Sequence, residues 1–202
     1  NALTVWGGPN FPADMEDQTK FMKKYSQVDV YVPIEGETGF SNVVELALSS
    51  KSEDELQIKV SEKPIEGCIT RNSKGDLQYN NPVIRTSKLD DIPSPYLTGI
   101  MDKFFDGKLT PMMQTNRGCP FTCTFCVDGL DTVQKVNSFS TERVKNELNY
   151  ISQHVPKNTH SLHFSDLNFG MFPRDLEICD MINENKEKYH YPVKVVTTTG
   201  KN

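Results

Sequence analysis

Residues Leu109–Cys126 read LTPMMQTNRGCPFTCTFC. The first seven, Leu109–Thr115, have the apolar character of a strand. The remaining eleven, Asn116–Cys126, carry Cys119, Cys123 and Cys126, three of the chain's five cysteines. Their spacing is C-x3-C-x2-C. A strand that ends in such a loop suits a parallel α/β fold, which presents its sites at the C-terminal ends of strands. Three thiols this close together point to a metal. Cysteine thiolates hold iron–sulfur clusters, and a cubane cluster has four irons, usually with four Cys. Three protein ligands would leave one iron open to a small molecule, and an open position marks a catalytic metal rather than a structural one. A structural zinc would want C-x2-C pairs and a fourth His or Cys at standard distance; the nearest histidine, His154, lies inside a predicted amphipathic helix. A ferredoxin would show C-x2-C-x2-C and a further Cys followed by Pro. The other two cysteines stand apart. Cys68 follows Gly67 in a predicted strand, and Cys179 sits on a predicted helix among Leu176, Ile178 and Ile182.

Downstream of the cysteines the α/β rhythm continues. Ser140 is placed to cap a helix over Thr141–Val155, with Val144, Leu148, Ile151 and Val155 on one face. Ser161–Ser165 is the next strand, ending at Asp166-Leu167-Asn168-Phe169-Gly170. Pro173 opens a helix at its first position, running to about Lys186, and Val193–Thr197 is a third strand. The same rhythm appears at the start of the chain. Leu3–Trp6 is a strand ending at Gly7-Gly8-Pro9, followed by a helix over Ala13–Tyr25 with acids early and lysines late. Val28–Ile34 is a second strand ending at Glu35-Gly36-Glu37, followed by a helix over Phe40–Leu48. Strand and helix in alternation imply a parallel sheet. The middle differs. Ser49–Glu55 is a polar break, Ile65–Thr70 and Asp76–Tyr79 flank Asn72-Ser73-Lys74-Gly75 as a hairpin, and Leu89–Tyr96 carries two prolines as an extended connector. Leu97–Phe105 reads as a short helix. The expected organisation is an α/β domain over residues 1–50, a linker with a small β element over 51–108, and a second α/β domain over 109–202.

Composition excludes some function classes. Hydrophobic content is 36%, charged content is 24%, and the net charge is −5 with lysines and arginines scattered. No basic stripe suggests a nucleic-acid partner. No run of eighteen apolar residues suggests a membrane span. An odd number of cysteines gathered in one loop suits a reducing, cytoplasmic setting and a metal better than a disulfide framework. The chain opens without Met or a signal-peptide pattern, on a strand in progress, so it reads as a fragment of a longer protein.

The motif Cys119, Cys123, Phe125, Cys126, C-x3-C-x-Φ-C with an aromatic Φ, resembles the cluster motif of the radical S-adenosylmethionine (SAM) enzymes. The resemblance implies a [4Fe–4S] cluster on the three cysteines, SAM on the fourth iron, and reductive cleavage of SAM to a 5′-deoxyadenosyl radical. It implies that Phe125 lies near the adenine, and that the strand–loop–helix–strand–helix–strand order is the first half of a partial (β/α)6 barrel. Many relatives carry Gly-Gly-Glu after the second strand; this chain has Ser165-Asp166-Leu167-Asn168. Ser165, Asp166 and Asn168 are the candidate SAM contacts there, with Thr198 at the end of the third strand. An aspartate in that place serves equally well as a loop or capping residue.

The segment GGPNFP, Gly7–Pro12, followed by VDVYVPIEGETGF, Val28–Phe40, is similar to the second half of the cobalamin-binding domain that precedes the barrel in one radical SAM subfamily. Ile34 stands where that pattern has its first glycine, while Glu35, Gly36, Glu37 and Phe40 match. The implied fold is the C-terminal half of a Rossmann-like cobalamin-binding domain, a small β linker, and the first half of the barrel. Gly7, Gly8, Glu35 and Gly36 are the candidate cobalamin contacts. The implied activity is methyl transfer or rearrangement on an unknown substrate, driven by a reductant such as flavodoxin or ferredoxin. The fragment alone is expected to be inactive. No general acid or base is assigned. The residues also leave open an iron–sulfur electron-transfer or regulatory protein that does not cleave SAM, and a zinc-binding module.

Overall fold

The structure is a computed structural model that describes residues 2–82, 85–129 and 133–199. The chain divides into two compact units, Asn1–Thr86 and Ser87–Asn202.

The first unit has a four-stranded sheet in the order β1-β2-β3-β4. Strand β1 (Val5–Gly8) pairs parallel to β2 (Val30–Pro33). Helix α1 (Met15–Lys24) connects them. Its start is set by Asp14, whose carboxylate accepts from the amides of Glu16 at 2.8 Å and Asp17 at 3.2 Å. Glu16 and Asp17 in its first turn and Lys23 and Lys24 in its last complement the helix dipole. Strand β2 is buried along its length, as an interior strand covered on both faces must be. Val30 and Val32 point to one face, with Val43, Val60, Ile65 and Cys68. Tyr31 points to the other, with Met22, Val28 and Ile69.

Helix α2 covers Glu37–Leu48 and begins three residues before the predicted Phe40. Its buried face is Gly39 and Val43, while Phe40 is 54% exposed. Gly39 explains the rotation. A Cβ there would run into the Gly67 carbonyl oxygen and stand 2.7 Å from Val32 Cγ1, so the helix approaches the sheet through a glycine.

The polar stretch after α2, expected as a break, is a helix start. Helix α3 spans Glu53–Glu62. The Ser52 hydroxyl accepts from Glu55 N at 3.2 Å, and the Glu55 carboxylate accepts from Lys51 N at 2.9 Å, a reciprocal arrangement akin to a capping box. The hairpin is present as β3 (Cys68–Arg71) and β4 (Leu77–Asn80). It does not stand in a linker. Strand β3 pairs antiparallel to β2 through Val30↔Thr70 and Tyr31↔Ile69, so the hairpin completes the first unit's sheet. The division between the two compact units falls at Thr86/Ser87, after this hairpin.

In the second unit, β5 (Met112–Met113), β8 (Ser161–Phe164) and β9 (Lys194–Val196) form a parallel sheet in the order β5-β8-β9. Between β5 and β8 lie a two-stranded ribbon, β6 (Asn116–Arg117) with β7 (Asn137–Ser138), and helix α4 (Thr141–His154). Helix α5 (Arg174–Tyr189) joins β8 to β9. The Ser140 hydroxyl caps α4 by accepting from Arg143 N at 3.1 Å. Val144, Leu148 and Ile151 of α4 and Ile178, Met181 and Ile182 of α5 share one core with Leu162 and Phe164 of β8. Pro173 is the residue just before α5 rather than its first. Cys179, expected among apolar neighbours, faces outward and is exposed: Ile178 and Ile182 are buried, but Leu176 lies on the outer side with it.

Strand β5 is much shorter than the predicted Leu109–Thr115. Pro111 has no N–H to add to a ladder. The free edge of β5 is occupied instead by Tyr96, whose hydroxyl accepts from Met112 N at 3.1 Å and donates to Met112 O at 2.6 Å. The predicted helix over Leu97–Phe105 is confined to a short 3-10 turn at Asp102–Phe104.

Candidate functional site

The β6–β7 ribbon brackets the cysteine loop through Asn116↔Ser138 and Arg117↔Asn137. Gly118 leads into it with φ +111°, and a Cβ there would run into the Lys135 carbonyl oxygen and lie 2.9 Å from that of Val133. Only glycine makes this step easily. Cys119 N then donates to Val133 O at 3.1 Å. Two turns follow, with Cys126 N donating to Cys123 O and Gly129 N to Cys126 O, each at 3.1 Å. All three loop cysteines are free thiols and partly exposed. The Cys126 sulfur lies 3.8 Å from an Asp128 carboxylate oxygen. The Phe125 ring between the last two cysteines is 82% exposed.

Among the described residues, no three His, Cys, Asp or Glu side chains gather as the ligands of a single metal ion. The donor set nevertheless fits a cluster. In a cubane each thiolate binds a different iron, so the sulfurs stand around the cluster rather than converging on one point. Three partly exposed thiols on one loop, with a single carboxylate, that of Asp128, close to one of them, favour soft iron–sulfur ligation over a single hard ion.

Asp166, immediately after Ser165 at the end of β8, is 1% exposed. Its carboxylate accepts from Thr115 N at 2.6 Å, Asn116 N at 3.3 Å, Asn116 Nδ2 at 3.2 Å and the Thr115 hydroxyl. Burial raises its pKa, while the hydrogen bonds from Thr115 and Asn116 oppose the rise. Every one of these partners lies at the entry to the cysteine loop. Arg174 reinforces the same place, donating to Thr115 O at 3.1 Å and to Phe139 O at 2.8 Å. It thus ties the start of α5 to both ends of the bracketed segment.

Asn168 reaches the loop directly, its side-chain amide donating to Cys119 Sγ at 3.2 Å. Ser165 is occupied with β5: its N–H donates to Met113 O at 2.9 Å and its hydroxyl lies 3.4 Å from the same oxygen. Thr198 is exposed, and its carbonyl accepts from Phe169 N at 2.9 Å. The sequence reading found Asp166 and Asn168 but missed Thr115, Asn116 and Arg174. The only available signal was that a buried aspartate needs donors, which does not say where they come from.

In the first unit, Gly7 lines a cavity of about 490 Å³ with Trp6, Asn10, Phe21, Tyr25 and Tyr31. Phe11 stacks on Tyr31 with ring centroids 4.1 Å apart, and Trp6 lies 5.1 Å from Tyr25. This aromatic cluster was not anticipated from the sequence. Gly8 has φ +107°, and Gly36 precedes α2 with open space where a Cβ would stand. Glu35 points into the protein. Its side chain is 9% exposed and accepts from Arg85 Nε at 2.9 Å and Thr86 N at 2.9 Å. Ile34 has φ +58°, the left-handed region that a β-branched residue rarely enters.

The second unit thus hangs a three-cysteine loop from the C-terminal side of the first strand of its parallel sheet. The chain is a homologue of the cobalamin-dependent radical SAM methyltransferases. It is 31% identical to the cobalamin-dependent radical SAM methyltransferase TokK of Streptomyces tokunonensis across 100% of this chain and 28% of the relative. It is also 31% identical to the 2-(S-pantetheinyl)-carbapenam-3-carboxylate methyltransferase of Streptantibioticus cattleyicolor across 99% of this chain and 28% of that protein. The chain therefore spans less than a third of the length of these relatives. Among solved structures, the fold is similar to apo OxsB, a cobalamin-dependent SAM radical enzyme, with a TM-score of 0.63 at 19% identity over 98% of this chain and 26% of that one. OxsB with aqua-cobalamin and SAM bound gives a TM-score of 0.57 at 20% identity over 87% and 23%. No family model matches the chain.

Proposed function

We propose that this protein is a radical SAM enzyme whose Cys119, Cys123 and Cys126 hold a [4Fe–4S] cluster, and that it works with cobalamin in methyl transfer or rearrangement. The observation that carries the reading is the loop itself: three free, partly exposed thiols in C-x3-C-x2-C spacing, hung from a parallel strand and bracketed by a ribbon. When bound, the cluster supplies an iron without a protein ligand for SAM and, once reduced by a partner such as flavodoxin or ferredoxin, the electron for reductive cleavage to a 5′-deoxyadenosyl radical.

The chain's own residues prepare that site. Asp166 and Arg174 hold the entry to the loop so that the three thiols are displayed from a fixed base. Phe125, exposed beside Cys126, offers a flat apolar face to the adenine. Ser165, Asp166, Asn168 and Thr198, following the ends of β8 and β9, are the residues that would border SAM. Asp166 acts there through Thr115 and Asn116 rather than by touching SAM, because its carboxylate is already saturated with donors.

On the cobalamin side, Gly7 and Gly8 let backbone approach a large flat ligand at the end of β1. The cavity beside Gly7 adds aromatic rings as flat faces for such a ligand. Glu35 and Gly36 shape the loop after β2, Glu35 through Arg85 and Thr86. On this reading the first unit is part of a Rossmann-like cobalamin domain, and the second is the first half of a partial (β/α)6 barrel.

The test is anaerobic reconstitution of the intact, full-length protein followed by reduction with SAM present. Iron uptake together with 5′-deoxyadenosine is the expected result. Iron without 5′-deoxyadenosine would replace this reading with that of an electron-transfer or regulatory protein, and zinc in place of iron would remove both.

A further inference from the structure

Asn168 stands close to Cys119 and yet outside the cysteine motif. It is 8% exposed, and its Nδ2 lies 3.2 Å from Cys119 Sγ. Its backbone does not depend on that contact. Phe169, the next residue, is held by its own N–H to Thr198 O at 2.9 Å, by a parallel bridge to Thr199, and by stacking on Phe164 at 5.0 Å. Cys119 is held independently too, through its N–H to Val133 O at 3.1 Å. Two separately anchored segments therefore bring an amide donor against a sulfur.

We propose that Asn168 is a positioning residue that sets the reduction potential of the cluster by donating an N–H···S hydrogen bond to Cys119. The inference rests on the reading of Cys119 as a cluster ligand. Thiolate sulfur bound to iron carries negative charge, and reduction of the cluster adds more. A donor aimed at that sulfur therefore favours the reduced form, which is one of the levers by which proteins tune such clusters. An amide suits this task. It is neutral, so it adds no charge that would itself repel the positively charged sulfonium of SAM, and it stays a donor at every working pH. Asp166 and Asn168 divide the work of one loop: the first fixes the base of the cysteine loop and the second its first sulfur.

The experiment compares the intact wild-type protein with Asn168→Leu and Asn168→Asp, each anaerobically reconstituted. It reads iron content and, by electron paramagnetic resonance at a fixed applied potential, the ratio of reduced to oxidised cluster. Loss of one hydrogen bond should lower that ratio about twofold to tenfold in Asn168→Leu, with iron content unchanged. Asn168→Asp should lower it further, since it sets a negative charge beside the sulfur. An unchanged ratio in Asn168→Leu overturns the proposal. Loss of iron from a folded Asn168→Leu protein also overturns it, because Asn168 would then help to hold the cluster rather than tune it. Failure of the wild type to take up iron would instead sink the reading of the cysteines. The contact itself is read in the cluster-free protein with 15N-asparagine labelling. The Asn168 side-chain amide signal should move in Cys119→Ala, and a signal that stays in place counts against the hydrogen bond whatever the cluster does.

Discussion

At residue scale, the five cysteines separate into two kinds. Cys119, Cys123 and Cys126 are partly exposed on one loop. Cys68 is buried, its thiol donates to Gly39 O at 3.4 Å, and burial pushes it up to about 11, so it remains a neutral thiol at working pH. Cys179 is exposed on α5, and burial of its surroundings together with Asp175 and Asp180 raises its pKa. Cys123→Ala should therefore fail to assemble a cluster, while Cys68→Ala/Cys179→Ala should keep full iron content. Iron counting after anaerobic reconstitution checks both, and a normal count in Cys123→Ala would end the cluster assignment. Ile34 yields a stability prediction. Its left-handed backbone costs roughly 1–2 kcal/mol for an L side chain. Glycine relieves that but loses about 0.5–1 kcal/mol through greater freedom in the unfolded chain. Ile34→Gly should be stabilising by roughly 0–1.5 kcal/mol, measured by urea denaturation. A clear loss would mean that the half-buried isoleucine side chain outweighs the strain.

At the scale of elements, two contacts decide what the pattern alone left ambiguous. Helix α3 begins where charged residues suggested a break, because Ser52 and Glu55 satisfy backbone donors at its start. Ser52→Ala should cost about 1 kcal/mol of stability, and no change in chemical denaturation would show that the cap is dispensable. Strand β5 is held as a short edge by the Tyr96 hydroxyl, which serves both backbone groups of Met112. Tyr96 is 5% exposed, so Tyr96→Phe keeps its packing and removes only these bonds. The expected cost is about 1–2 kcal/mol, with faster amide exchange at Met112 as the local signature. Retained protection there would place the anchor of β5 elsewhere.

For the whole molecule, the prediction concerns cobalamin. If Gly7 and the aromatic cavity beside it form part of the cobalamin side, the intact protein reconstituted with excess cobalamin should retain it through gel filtration, and Gly7→Trp should not. Wild-type protein that emerges colourless would leave the first unit as a scaffold only. A Cβ at Gly7 would stand 3.0 Å from Val32 O, so circular dichroism of the variant must accompany the binding measurement.

Sequence alone determined the cysteine loop and the alternation of strand and helix on both sides of it, because ligand spacing and apolar periodicity are local properties of a chain. It also located α1, the hairpin, α4 and α5 closely, since caps, turns and amphipathic faces are written within a few residues. Asp166 and Asn168 were legible as polar groups at a strand end, but what they do was not. Only the tertiary structure brings Thr115 and Asn116 to Asp166, from about fifty residues away, and Cys119 to Asn168 from a similar distance. The hairpin's membership of the first sheet, the rotation of α2 onto Gly39 and the inward turn of Glu35 toward Arg85 were decided in the same way. Each depends on which surfaces meet, and burial makes the meeting selective: a buried carboxylate must find donors, and a helix settles at the one face that lets it approach the sheet.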